Sequence, residues 1–384
     1  MMRVYLDHAA TTTARAEAID AMIPLLGARG GNPSSLHAEG RTARAALDRA
    51  RDDVARVLGA KSREIVFTAS GSESLALAIV GVARARRERG MHIVSSVIEH
   101  SAVLRTLEVL EGEGWSITRL PVDAQGRVDP AQFAAALRAE TTLASIMLAN
   151  NEIGTIQPIA ELAAHARARG VVFHTDAVQA PGQLSLDVAA LGVDVLSVSG
   201  HKFAGPRGVG ALYVRSGTPL VPLVVGGGQE HGLRAGTENV AGIVGFATAL
   251  GLADGERSVA VSRIAALRNR LEAAILATIS DVYVNGTGAA RLPSLASLSF
   301  GGVAADALLI RLDLEGIAAS AGSACAAGSL EPSHVIAALG VPTTHARGVI
   351  RFSLGRTTTD AEIDRVVGIV PIIVTQVRGS AALV

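Results

Sequence analysis

The sequence predicts an α/β protein with a large, open, mostly parallel sheet and a smaller α+β unit after it. Two observations carry that expectation. From about residue 14 to about residue 215, long amphipathic segments alternate with short apolar runs rich in β-branched residues, as a sheet covered by helices on both faces requires. Beyond about residue 280 the runs shorten, and helices and strands mix without that alternation. In the first part, helices are expected at 36–58, 72–89, 102–113, 130–139 and 159–169. Strands are expected at 64–68, 92–95, 116–120, 143–148, 171–174, 194–198 and 210–214. An Ala-rich helical region, 239–279, is expected to break near Asp254-Gly255 and to bridge to the second unit. There, strands are expected at 282–284, 294–300 and 349–353 and helices at 304–314, 333–339 and 360–376. The division is then an N-terminal segment 1–14, a large unit 15–255 and a small unit 256–384.

Composition narrows the classes of function. The chain has 384 residues, 49% of them hydrophobic and 18% charged, which suits a folded globular protein. Lys+Arg and Asp+Glu are both 35, so nothing points to nucleic acid or to an anionic membrane as a partner. No apolar run reaches spanning length, and Met1 to His8 lack a signal-type stretch. A single cysteine excludes an intramolecular disulfide and suits a cytoplasmic setting.

Lysine is nearly absent. Of the 35 basic residues only Lys61 and Lys202 are lysines, and Lys61 sits in a polar turn where a solvated charge is expected. Lys202 follows the apolar run ending at Val198, in Ser199-Gly200-His201-Lys202. Unlike arginine, a lysine amine can lose its proton and attack a carbonyl. Ligands of open α/β sheets bind beyond the C-terminal strand ends. The other strand ends carry Ser70-Gly71-Ser72, Glu99-His100, Asn150-Asn151-Glu152 and Asp176 with Gln179 one turn on. Ser70-Gly71-Ser72 opens a helix, so it serves either as a plain N-cap or as a phosphate cup. A cup, an imidazole, an amide, a carboxylate and an amine at one sheet edge are the set that pyridoxal phosphate needs. Aromatics are 3% of the chain and none lies at these strand ends, which leaves His100 to stack on the ring.

Two further residues stand out. Cys325 lies among Gly, Ala and Ser only, in Ala321-Gly322-Ser323-Ala324-Cys325-Ala326-Ala327-Gly328; an accessible, reactive thiol is favoured there over a buried hydrophobe. Arg351 lies inside a strand, Ile350-Arg351-Phe352-Ser353, where a charge needs a partner. A substrate carboxylate would serve, and so would a structural salt bridge.

Taken in order, these motifs resemble the cysteine desulfurases of the NifS/IscS kind, among the class V aminotransferase-like, fold-type I pyridoxal-phosphate enzymes. The likeness runs from Tyr5-Leu6-Asp7-His8-Ala9-Ala10-Thr11-Thr12 through Gly31-Asn32-Pro33-Ser34-Ser35, Asn150-Asn151-Glu152-Ile153-Gly154, His174-Thr175-Asp176-Ala177-Val178-Gln179 and Arg234-Ala235-Gly236-Thr237 to Ile350-Arg351-Phe352-Ser353-Leu354-Gly355-Arg356. The resemblance implies Lys202 as the lysine that bonds to the cofactor, Asp176 at its pyridine nitrogen, His100 on its ring and as a proton carrier, and Gln179 at its ring oxygen. It implies Gly71, Ser72, Ser199 and His201 as phosphate ligands, with Thr237 reaching the same phosphate from the second subunit of a homodimer. Asn151, also counted among the cofactor's neighbours, and Arg351 would hold the substrate carboxylate. Residues 1–14 would line the cleft and Cys325 would accept sulfur as a persulfide, turning L-cysteine into L-alanine. The sulfur would pass to an acceptor protein, such as an iron–sulfur scaffold or a sulfur carrier. No metal site is expected. A selenocysteine lyase or an aminotransferase of the same fold is the alternative enzyme; an idle scaffold is disfavoured because no site position is lost. The chain departs from relatives at Leu75-Ala76, where two asparagines are common, and at Ala326-Ala327, where Thr-Ser is common.

Overall fold

A computed structural model describes residues 3–27, 30–322 and 332–381. The expected large sheet is present with seven strands. They are β2 (Ile65–Thr68), β3 (His92–Ser96), β4 (Ser116–Leu120), β5 (Thr141–Ser145), β6 (Val172–Asp176), β7 (Val195–Ser199) and β8 (Gly210–Val214), in the order β2-β8-β7-β6-β5-β3-β4. Strands β3 to β7 are mutually parallel, while β8 is antiparallel to both β7 and β2. It follows that β2 points the same way as the parallel strands, and their C-terminal ends share one edge. Helices α2 (Ala38–Leu58), α3 (Gly71–Ala85), α4 (Ser101–Gly112), α5 (Pro130–Ala136) and α6 (Ile159–Ala168) fall where the periodicity puts them. Apolar clusters form on both faces of the sheet, one around Phe67, Phe173 and Phe246 and the other around Leu77, Leu107 and Trp115.

The structure corrects the sequence reading in three places. Strand β5 starts earlier than 143–148, at Thr141, although Ile146 and Leu148 still donate N–H bonds to His174 and Asp176 on β6. The helix expected to break at Asp254-Gly255 runs unbroken as α8 (Val240–Thr278), 39 residues long. A glycine inside a helix costs only about 1 kcal/mol. Burial at both ends outweighs it: Ile243 to Leu250 pack into the large-sheet core and Ile264 to Ile275 into a second core. Several elements were not expected, among them α1 (Ala16–Leu26), the short helices α7 (Val188–Leu191) and α11 (Thr343–Ala346), and a two-stranded parallel pair, β1 (Val4–Tyr5) with β11 (Ile317–Ala318). The strands are two residues each, too short for a period to be read, and Pro24 masks the helical pattern of α1.

The second core lies between α8, α9 (Ala305–Leu314), α12 (Asp360–Ala381) and an antiparallel sheet of β9 (Val282–Val284), β10 (Leu295–Phe300) and β12 (Val349–Ser353), ordered β12-β10-β9. The N-terminal segment ties both units together. Leu6 N–H bonds Ala318 O and His8 N–H bonds Ser353 O, and then Thr12 N–H bonds His201 O and Arg15 N–H bonds Ala204 O. Among the described residues no helix is long and apolar enough to cross a membrane.

Candidate active site

The shared edge of the sheet opens into a cavity of about 470 Å³ against the N-terminal segment and β12. Ala9, Ala10, Ser70, Gly71, Ser72, His100, Asn151, Asp176, Gln179, Ser199, His201, Lys202, Arg207 and Arg351 all contribute to its wall. Residues from positions 9 to 351 thus converge because six strands end at that edge, five of them delivering wall residues, and the N-terminal segment closes it.

One end of the cavity is built to receive an anion. Ser70 caps α3, accepting Glu73 N–H on Oγ at 3.1 Å, and leaves the first-turn amides of Gly71 and Ser72 pointing outward. Gly71 is required by space: a Cβ there would come within 2.9 Å of Ser199 Cβ. His201 joins this end with its Nδ1 3.2 Å from Thr11 Oγ1. Burial lowers its imidazole to about 4, helped by Lys202 and Arg207, so it is neutral at physiological pH.

The middle holds the titratable groups. Lys202 sits in the 3-10 turn after β7, and its Nζ donates to Ala9 O at 2.6 Å and Ala10 O at 2.9 Å. Asp176 ends β6, is 6% exposed, and accepts Val178 N–H at 2.9 Å. Burial raises its carboxyl, while His100 and Lys202 pull it back down. A carboxylate this buried needs a cationic group at its free oxygen. His100 caps α4 by accepting Ala102 N–H on Nδ1 at 3.1 Å, which leaves Nε2 to carry the proton of the neutral ring. Burial lowers its pKa, against the pull of Asp176. Gln179 Nε2 donates to Ala9 O at 3.0 Å.

At the far end Arg351 is 2% exposed. It donates to Asn151 O and to Asp7 Oδ1, both at 2.9 Å, and its Nε is buried without a partner. Both meanings of a strand arginine therefore coexist: there is an ion pair, and donor capacity remains. Beneath it Glu152 is 1% exposed, its carboxyl raised by burial and pulled back by Ser333, His334 and Arg351. Cys325 lies outside the described residues. Thr237 is exposed and takes no part in lining its own chain's cavity. Lys61 is exposed, as its turn requires.

Sequence reasoning gave no role to Arg207, which lines the site, and placed Asp7 and Thr11 only within the segment 1–14 expected to line the cleft, without their contacts to Arg351 and His201. Arg207 had a usable signal, a cation between Pro206 and Gly208 just past the key lysine. Leu75 places an apolar side chain on the cavity wall. The donor set fits pyridoxal phosphate: an anion cup that a Cβ would fill, an amine within reach, and a buried carboxylate with an open oxygen.

The chain matches the class-V aminotransferase family over residues 4–366. It is 50% identical over 98% of its length to the cysteine desulfurase IscS of Dictyoglomus turgidum, covering 95% of that protein. It is 47% identical to the cysteine desulfurase IscS of Methanosarcina thermophila, over 99% of this chain and 94% of the relative. A solved NifS-like protein superposes with a TM-score of 0.92 at 36% identity, over 98% of this chain and all of the other. The chain belongs to the class-V aminotransferase family, in the group that holds the IscS and NifS cysteine desulfurases.

Proposed function

We propose that this protein is a pyridoxal-phosphate-dependent L-cysteine desulfurase that works as a homodimer in the cytoplasm. The observation that carries the reading is the meeting of Lys202, Asp176 and His100 with the Gly71/Ser199 cup and Arg351 in one cavity. Gly71, Ser72, Ser199 and His201 would hold the phosphate, Asp176 and Gln179 the ring, and Lys202 the aldehyde. When bound, the cofactor supplies an electron sink for the pair left at the substrate Cα.

The remaining roles belong to the chain itself. Arg351 and Asn151 dock the substrate carboxylate, Arg351 with donors that its ion pair leaves unspent. The Lys202 amine takes the Cα proton. His100 offers Nε2 toward the cavity and moves a proton at the substrate. The thiolate of Cys325 attacks the substrate sulfur; an S–S bond forms, the Cβ–S bond breaks, and the pair left on carbon takes a proton to give alanine. No second cysteine exists in the chain, so the persulfide sulfur must leave to a thiol or to an acceptor protein, such as an iron–sulfur scaffold or a sulfur carrier. Residues 15–255 would form the cofactor-binding unit and 256–384 the unit that carries Cys325. Thr237, exposed on its own chain, would complete the neighbour's phosphate site.

The test is direct. Purified protein given L-cysteine and a reducing thiol should release alanine and sulfide in equal amounts, and Cys325→Ala should keep the bound cofactor yet lose sulfide release. Lys202→Ala should lose both, while Lys61→Arg should be silent. Wild-type turnover by Cys325→Ala would rule out the persulfide route.

A further inference from the structure

The loop 226–237 turns back on itself through three successive left-handed residues: Glu230 at φ 46°, His231 at φ 59° and Gly232 at φ 78°. For the glutamate and the histidine this costs about 1–2 kcal/mol each. Such backbone persists only where its surroundings over-determine it. Here the cause is one carboxylate. Glu230 is 4% exposed and accepts Arg51 Nη1 on Oε2 and Arg51 Nη2 on Oε1, both at 2.7 Å. Its Oε2 also accepts Phe67 N–H at 2.7 Å, while Arg51 Nη1 donates to Ile65 O at 2.7 Å. The guanidinium carbon lies 4.9 Å from the centre of the Phe67 ring.

Strand β2 is the last strand on its side of the sheet, so Ile65 O and Phe67 N–H would otherwise be open edge groups. The Arg51–Glu230 pair takes the place of a neighbouring strand at that edge. Three residues beyond Phe67 the same strand delivers Ser70-Gly71-Ser72, the anion cup. A second tie reaches the cup from the other side. Arg234 Nε donates to Glu73 Oε1 at 2.8 Å, and Glu73 Oε2 accepts Ala69 N–H at 2.7 Å. The loop is thus bolted to the strand before the cup and to the helix turn after it, while Thr237 at its end stays exposed.

We propose that Glu230 with Arg51, seconded by Arg234 with Glu73, is a positioning device for the phosphate site. It fixes the cup of its own chain and, through the same bonds, the loop that presents Thr237 to a second copy. Retention of the cofactor then depends on an ion pair that touches neither cofactor nor substrate. The cross-subunit half of this inference rests on the homodimer proposed above.

The test compares Glu230→Gln and the double variant Arg51→Met/Glu230→Gln with the parent protein. The double variant leaves no unpaired buried charge and keeps a foldable protein in hand if the single one fails. Arg84→Gln, which removes an exposed ion pair to Glu113, is the control. Cofactor release is followed by its visible absorbance after dilution into buffer without cofactor, and the dimer fraction by sedimentation. Release should quicken about tenfold or more, as the loss of one charge-assisted contact predicts, while kcat at saturating cofactor stays within about twofold of the parent. A merely structural role would lower kcat at saturation and leave release from the folded fraction unchanged. A folded variant that releases cofactor at the parental rate overturns the proposal. A parent that proves monomeric overturns the homodimer reading instead, and the release rates still judge the clamp on the chain's own cup.

Discussion

Arg51 and Arg351 are both almost fully buried, at 6% and 2% exposure, and each pairs with a carboxylate, yet they are built for different purposes. Arg51 meets Glu230 as a fork on a fork, adds the carbonyl of Ile65, and keeps no buried nitrogen without a partner among the described residues. Arg351 touches Asp7 through one nitrogen and Asn151 O through another, its Nε is buried without a partner, and the residue lines the cavity. A buried cation that is fully satisfied has nothing left to bind with. One left partly satisfied beside a cavity is waiting for a ligand. Burial and charge alone do not separate the two; the unspent donors do.

The comparison breaks most visibly on substitution. Arg351→Gln should lower kcat/KM for cysteine about 100-fold or more, because a charge-assisted carboxylate contact is lost. Arg351→Lys should rescue little, since a point charge cannot replace the planar fork. Denaturant unfolding of the cofactor-free protein should move far less for Arg351→Gln than for Arg51→Gln. The latter strands the Glu230 carboxylate in the interior, at about 3–5 kcal/mol. Equal losses of stability in the two variants would show that Arg351 is as structural as Arg51.

How these arginines read in the sequence explains what sequence can and cannot reveal here. Arg351 was visible as a charge within a strand, and Lys202 as a rare amine at a strand end, because local pattern marks both. Arg51 lies on a helix and Glu230 in a loop, 179 positions apart, and neither position looks unusual alone. The large sheet was legible because each of its strands exceeds three residues and sits between periodic helices. The β1/β11 pair was not, since its pairing is long-range and its strands carry no period. The pairing of Asp7 with Arg351 was missed for the same reason: only the fold brings the two together across 344 positions. The continuity of α8 also lay outside local reach, because two separate cores decide it.

A change of pH sharpens the comparison by moving other buried groups. His174, bonded to Ser145 and Ser197 on neighbouring strands, has its pKa lowered by burial to about 3. An unfolded imidazole protonates near pH 6.5. The stability held by neutral His174 is therefore present above that pH and is lost as pH falls toward 3. Glu99 is the opposite case: burial raises its carboxyl to about 8, so its contribution is present below the unfolded value of about 4.5 and is lost as pH rises through 8. Urea melts of the cofactor-free protein should show the two contributions nearly cancelling between about pH 4.5 and 6.5, with stability falling below and above that window. His174→Gln should flatten the acid side and Glu99→Gln the fall in stability between about pH 4.5 and 8. An unchanged acid slope in His174→Gln would mean that its imidazole is protonated in the fold.

The smallest expected effect bears on the arginine pair itself. If Arg351 docks the substrate carboxylate as proposed, Asp7 competes with it, but Asp7 also holds the guanidinium in place. Asp7→Asn removes the competing charge and keeps an amide oxygen that can still accept from Nη2. If the unspent donors of Arg351 are what bind substrate, a more positive guanidinium should tighten carboxylate docking. KM for cysteine should then fall by about two- to fivefold with kcat nearly unchanged, a shift of less than about 1 kcal/mol. The KM of Glu230→Gln measured with cofactor in excess should not move, because that pair has no donor facing the substrate. A rise in KM for Asp7→Asn would mean that the ion pair, not the spare donors, sets the position of Arg351, and the distinction between the two arginines would collapse.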